Sequence, residues 1–118
     1  MNIFSKCFKN KKVIVTGHTG FKGSWLSLWL ILNNAKVMGI SNNVPTNPSH
    51  FNSIKLHKKI IHKKIDIRNI KKVKKIFKSF KPDFVFHLAA QSLVKKSYEE
   101  PVNTFSTNTI GTMQILEA

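Results

Sequence analysis

Arginine is almost missing: Arg68 is the only one among 20 basic Lys and Arg residues in this 118-residue chain. Acids are also few, five in all, and the formal net charge is +15. Such a charge favours polyanions through counterion release. The bidentate contacts that read phosphates and guanine edges are, however, mostly made by arginine. The lysines are spread along the whole chain beside abundant Asn and Ile, as a compositional bias of the gene would produce. No specific nucleic-acid partner is expected, and the rival reading of a basic, non-catalytic nucleic-acid-binding protein would require salt-resistant binding.

One cysteine, Cys7, excludes an internal disulfide, and it has no metal-ligand spacing with the scattered histidines. No metal site is expected, and a reducing cytoplasm fits. Long apolar runs are missing too. Trp25 to Leu32 is far shorter than the stretch of about 20 residues that spans a bilayer, and Met1 to Lys9 has no signal-peptide hydrophobic region. The expected location is cytoplasmic, with no membrane partner.

What is present reads as alternating strands and helices. Lys12 to Thr16 is a β-branched run ending in a glycine cluster, as a buried parallel strand does. Gly23 to Leu32 follows as a helix, with Trp25, Leu28, Trp29 and Leu32 expected on its apolar face and Asn33-Asn34 as its stop. Lys36 to Ser41 reads as a second strand, Asn42 to Ser49 as a loop, and Phe51 to Leu56 as a short helix. Ile60 to Ile65 makes a third strand. Asn69 to Phe80 is an amphipathic helix with Ile70, Val73, Ile76, Phe77 and Phe80 inward, and Pro82-Asp83 breaks it. Phe84 to Leu88 is expected as a fourth buried strand, and Pro101 as the opening of a long final helix. The pattern predicts an α/β, Rossmann-like, doubly wound parallel sheet. Residues 1–118 are expected to be the N-terminal portion of one such domain, because Thr112 to Ala118 still reads as helix without a stop signal.

Thr16-Gly17-His18-Thr19-Gly20-Phe21-Lys22-Gly23 sets three glycines at the strand-to-helix junction. Gly17 permits the tight turn, Gly20 lets a pyrophosphate approach the backbone, and Gly23 allows close packing of the helix, whose N-terminus favours phosphate. A dinucleotide is the expected ligand, with Gly17, His18, Thr19, Gly20, Phe21, Lys22 and Gly23 around it; Lys22 adds charge but no specific contact. Where many such folds carry an acid against the adenosine ribose, this chain has Ser41, Asn42 and Asn43, and no arginine to receive a 2′-phosphate. NAD is favoured over NADP. Asp66 has two readings: an acceptor for the adenine amino group with Ile67 beside the ring, or the N-cap of the lysine-rich helix. Leu88, Ala89 and Ala90 either let the cofactor lie near the backbone or serve tight core packing. Gln91 and Ser92 follow where nicotinamide and sugar would lie. His87 is expected as a hydrogen-bonded core histidine, not a proton shuttle.

Thr16 to Gly23, then Asp66, then His87-Leu88-Ala89-Ala90-Gln91, and Asn108 in Thr107-Asn108-Thr109, resemble in order and spacing the extended short-chain dehydrogenase/reductase family. The resemblance covers nearly the whole chain and places Asn108 near the cofactor. Thr16 to Leu26, Pro45 to Pro48 and Ala90 to Val94 are similar to its branch of nucleotide-sugar 4,6-dehydratases that take CDP-glucose. A general epimerase would show Gly-Gly or Gly-Ala where His18 stands and an acid where Ser41 stands. Lys95-Lys96 departs from the branch, which commonly has arginine there.

The resemblance implies an NAD-dependent lyase of nucleotide-sugar and deoxysugar metabolism, homo-oligomeric at full length. Hydride would leave sugar C4 for NAD, water would leave across C5 and C6, and the hydride would return to C6. The family's base is a Tyr-x-x-x-Lys pair. Tyr98 is the only tyrosine and Val102 occupies the lysine position, so the catalytic pair is expected beyond Ala118 and Tyr98 is expected to be a packing residue. Ser92 is the one substrate-binding candidate.

Overall fold

Parallel pairing of a strand on either side of the β-branched run Lys12–Thr16 organises the molecule. A computed structural model describes residues 3–118. In chain order it holds α1 (Ile3–Phe8), β1 (Lys12–Thr16), α2 (Phe21–Leu32), β2 (Lys36–Ser41), α3 (His50–Ser53), a 3-10 turn (Leu56–Lys58) and β3 (Ile61–Lys64). α4 (Ile70–Phe80), β4 (Phe84–His87), α5 (Val94–Glu99), α6 (Pro101–Phe105), a π-helical turn (Ser106–Ile110) and α7 (Gly111–Glu117) complete it. The strands lie in the order β3-β2-β1-β4, all parallel, with Val13 opposite both Val37 and Phe84.

Successive β1 residues point to opposite faces, and each face meets helices. Ile14, Met38 and Ile40 pack against Val73, Ile76 and Phe80 of α4 and Ile115 of α7. Val13, Val15 and Val37 pack against Leu30 of α2 and Phe8 of α1. The sheet is therefore doubly wound, as the alternation of strands and helices predicts.

Several local expectations are corrected. In α2 the buried face is Gly23, Ser24, Ser27 and Leu30, while Trp25 is 50% and Leu32 72% exposed. Small residues let the helix axis approach the sheet, and the Ser27 hydroxyl is satisfied by the Gly23 carbonyl at 2.7 Å. β4 is not a buried strand: it pairs only with β1, and Phe84 and Val85 are over a third exposed. The polar lead contains α1, whose Phe8 ring meets Trp29 and Phe84 edge-on at 5.6 and 5.3 Å. Pro101 does open the final helical run, which is interrupted by the π turn at Ser106–Ile110. Tyr98 is 83% exposed on α5 and packs into no core.

Candidate functional site

β1 delivers the chain into a turn that only glycine can make. Gly17 has φ +75°, and a Cβ there would lie 2.8 Å from the backbone of Leu88 and Ala89, so the turn is pressed against the end of β4. Gly23 is equally constrained, since a Cβ would stand 2.1 Å from the Gly17 carbonyl oxygen. Gly20 differs. Its backbone is extended at φ −75°, ψ 171°, and a Cβ would meet nothing nearer than that same oxygen at 3.4 Å. The space over Gly20 is open.

Gly20 is the N-cap of α2 and has no side chain to cap it. The first α-helical bond is Ser24 N–H to the Gly20 carbonyl at 2.9 Å, so the N–H groups of Phe21, Lys22 and Gly23 have no partner within the helix. A helix N-terminus of this length, reached over an open glycine, suits a phosphate-bearing ligand. Phe21 and Lys22 are exposed there.

Beneath the turn the side chains face inward. The Thr19 hydroxyl lies 2.7 Å from that of Ser41 and donates to the Asn43 carbonyl at 2.6 Å, which fastens the loop after β2 to the turn. Ser41 is buried. His18 is fully buried, with Nε2 2.7 Å from Nδ1 of His62. Burial first, then the neighbouring His62, push its pKa down to about 4.

Thr16 and His87 close the other side. The Thr112 hydroxyl donates to the Asn108 carbonyl at 2.7 Å, so it must accept from Nε2–H of His87 at 2.8 Å. His87 Nδ1 then accepts from the Thr16 hydroxyl at 2.6 Å, whose oxygen takes the N–H groups of Leu88 and Ala89. Every proton in this chain is placed. His87 is thus a hydrogen-bonded core residue, its pKa lowered by burial. Asn108, in the π turn, accepts from Gln91 N–H at 2.7 Å and donates to the Gln91 carbonyl at 2.9 Å. Its side chain clamps the segment after β4. Gln91 in turn bonds the Leu93 backbone and the Thr104 hydroxyl, and Ser92 is exposed beside it.

Asp66 does not cap α4. Asn69 does, accepting from Lys72 N–H at 3.2 Å, because it stands directly before the first helical residue. The Asp66 carboxylate instead receives Arg68, with Nη2 at 2.6 Å, Nε at 3.0 Å and the backbone N–H at 2.9 Å. These hydrogen bonds hold its pKa below the usual carboxylate range, with the Asn42 side chain also beside it. The Ile67 side chain is in the core, filling the space over Gly111, and not beside an open surface. The pairing of Asp66 with Asn42 and of His18 with His62 had no local sequence signal.

Neither of the two cavities of about 510 Å³ includes the glycine turn: one lies by Lys36, Lys58 and Ile61 at the opposite end of the strands, the other between Arg68 and Glu99 to Ser106. At the turn Gly17 and Gly20 are half-buried, and Phe21 and Lys22 beside them are exposed. Among the described residues no cluster of three metal-ligating side chains occurs, and no helix is long and apolar enough to cross a membrane.

A β3-β2-β1-β4 parallel sheet with a glycine turn leading from its central strand into a helix defines a Rossmann-type nucleotide-binding fold. Comparison with known proteins narrows this class. The sequence model of the GDP-mannose 4,6 dehydratase family matches residues 14–118, and the chain belongs to that family. It is 49% identical to a CDP-glucose 4,6-dehydratase of Salmonella typhimurium over 93% of this chain and 31% of that protein. It is 32% identical to a dTDP-glucose 4,6-dehydratase of Haemophilus influenzae over 89% of this chain and 32% of the relative. A Thermus thermophilus UDP-glucose 4-epimerase solved in complex with NAD superposes with a TM-score of 0.79, at 32% identity, over 90% of this chain and 32% of that one. The chain spans about a third of the length of these relatives.

Proposed function

We propose that this chain is the NAD-binding portion of a nucleotide-sugar 4,6-dehydratase that converts CDP-glucose to CDP-4-dehydro-6-deoxyglucose. The observation that carries the cofactor reading is the open backbone over Gly20 at the uncapped start of α2, flanked by two glycines whose Cβ positions are already filled by backbone. Gly17 to Gly23 would take the pyrophosphate on main-chain N–H groups, while Asp66, kept ionised by Arg68, would accept from the adenine amino group. The backbone at Ser41, whose side chain is buried, and the exposed Asn42 and Asn43 would face the ribose. Leu88, Ala89, Ala90 and Gln91, held by Thr16 and Asn108, would lie along the nicotinamide side, with Ser92 toward the sugar. NAD supplies a hydride acceptor that can return what it takes.

The 49% identity to the Salmonella enzyme and the strings around His18 and Gln91 support this substrate. Residues 1–118 contain no Tyr-x-x-x-Lys pair, so proton removal from the C4 hydroxyl belongs to another part of the protein. The reading places the protein in the cytoplasm and the full-length form in a homo-oligomer. Titration calorimetry on this chain should show NAD binding several-fold tighter than NADP, and no turnover of CDP-glucose. Equal binding of the two would remove the cofactor assignment, and dehydration of CDP-glucose by these residues alone would remove the domain assignment.

A further inference from the structure

We propose that His62 is a positioning residue: through its hydrogen bond to His18 it holds the Gly17 to Gly20 turn in the shape that receives a dinucleotide's phosphates. The inference rests on the reading of that turn as the cofactor site. His18 follows Gly17 directly, and its ring is driven inward, away from any ligand. It occupies the space over Gly39 of β2, where a Cβ would lie 2.2 Å from the ring's Cγ. Phe51 of α3 meets it edge-on at 5.4 Å, and His62 of β3 lies with ring centroids 4.9 Å away. The ring is thus wedged between β2, α3 and β3, and the turn's backbone cannot move without it.

Within this wedge the His62 contact is the only side-chain hydrogen bond to the ring, and the Ile40 backbone also stands beside it. Nε2 of His18 and Nδ1 of His62 are 2.7 Å apart, whereas Nδ1 of His18 has no hydrogen-bond partner and is buried. One of the two facing nitrogens carries the shared proton and the other offers its lone pair. His62 itself is exposed, so water can serve its second nitrogen. Replacing it would leave Nε2 of His18 unpaired in a buried site, and the ring would rotate or withdraw, carrying the turn with it. His62 lies 44 residues from His18 and bonds the turn through that ring, so its influence on a ligand passes through it.

The test compares the wild-type chain with His62→Leu and His62→Asn, since the asparagine amide can place an N–H where Nδ1 stands. Amide hydrogen exchange is read at Gly17 and Gly20, whose N–H groups bond the Ile40 and Gly17 carbonyls at 2.8 and 3.1 Å, with Val13 to Val15 as the internal reference. NAD affinity is measured on the same samples. His62→Leu should speed exchange at Gly17 and Gly20 but not at the reference strand, and weaken NAD by about three- to tenfold, the worth of one net hydrogen bond. His62→Asn should restore both. Unchanged turn exchange in His62→Leu, equal acceleration at the reference strand, or no rescue by asparagine would overturn the proposal. A wild-type chain that binds no NAD would bring down the cofactor reading, and the exchange rates would then decide alone whether His62 shapes the turn.

Discussion

Gly20→Ala and Gly23→Ala differ by three positions in sequence and should separate fold from ligand. At Gly23 a Cβ would lie 2.1 Å from the Gly17 carbonyl oxygen and 2.9 Å from the His18 Cα. All of these neighbours are backbone, so relief requires moving α2 away from the turn by more than 1 Å, judged against the 3.4 Å contact at Gly20. Overpacking against backbone, which cannot rotate away, falls at the upper end of the usual range and costs about 2–3 kcal/mol. Alanine returns about 1 kcal/mol of helix propensity, which leaves a net loss of about 1–2 kcal/mol. For a domain of this size that lowers Tm by roughly 4–8 °C. At Gly20 the backbone is extended and the added methyl meets only an ordinary contact. Gly20 is the N-cap of α2, where alanine is disfavoured, so stability should fall by up to about 1 kcal/mol, while the methyl stands where a pyrophosphate would approach.

Thermal unfolding followed by circular dichroism and NAD binding by calorimetry, on both variants, give the two readouts. The expected pattern is Gly23→Ala the more destabilised of the two and Gly20→Ala folded but at least tenfold weaker for NAD. A Gly23→Ala chain as stable as wild type would refute the packing argument. Wild-type NAD affinity in Gly20→Ala would refute the claim that the open glycine is where the phosphates come in.

Thr16→Val removes the hydroxyl that serves His87 and the Leu88 and Ala89 N–H groups; it should cost about 1–3 kcal/mol in urea unfolding, and Thr16→Ser should recover most of it. His18 is neutral when folded down to about pH 4 but titrates near its ordinary 6.5 when unfolded, so the unfolded chain binds more protons between these values. Stability should be full above about pH 6.5 and fall by on the order of 3 kcal/mol toward pH 4, with His62 and His87 shifted in the same direction; a urea midpoint flat over this window would contradict it. Asp66→Asn leaves the Arg68 guanidinium without its carboxylate beside Asn42, so the NAD-to-NADP affinity ratio should shrink several-fold in calorimetry; an unchanged ratio would mean that Asp66 is remote from the adenosine.

What the sequence makes legible here is whatever a short window determines. The β-branched run at Lys12–Thr16, the glycine spacing after it and the 3.6-residue period of α4 each predict their element, and Val73, Ile76 and Phe80 are buried as that period requires. The α2 face is misread because hydrophobic periodicity assumes that large residues face the core. Close approach to the sheet selects small ones instead, and Trp25 stacks outside on His50 at 4.1 Å. β4 has the composition of a buried strand, but burial depends on having neighbours on both sides, which no window of residues encodes. Asp66 is a good cap by residue type, yet Asn69 stands where the helix begins. The pairs His18 with His62 and Thr16 with His87 join residues 44 and 71 positions apart, a distance at which single-sequence reasoning has no signal.

The polar side chains around the turn are mostly committed to the protein itself. His18 is tied to His62, Thr19 to Ser41 and the Asn43 carbonyl, Ser24 to His50, and Asn108 to both backbone groups of Gln91. What stays free for a ligand is main chain: the N–H groups at the start of α2 and the surface over Gly20. Backbone donors fixed by buried side chains lose little freedom on binding, so little of the interaction is spent on ordering them. This division explains why the recognisable motif consists of glycines with variable residues between them. The glycines govern where the backbone can run and what can approach it, and the residues between them are chosen for what lies beneath the turn. Substitutions at His18, Thr19 or Asn108 should therefore change binding by displacing backbone, with matching changes in amide exchange at Gly17 and Gly20, and not by deleting a contact to the ligand.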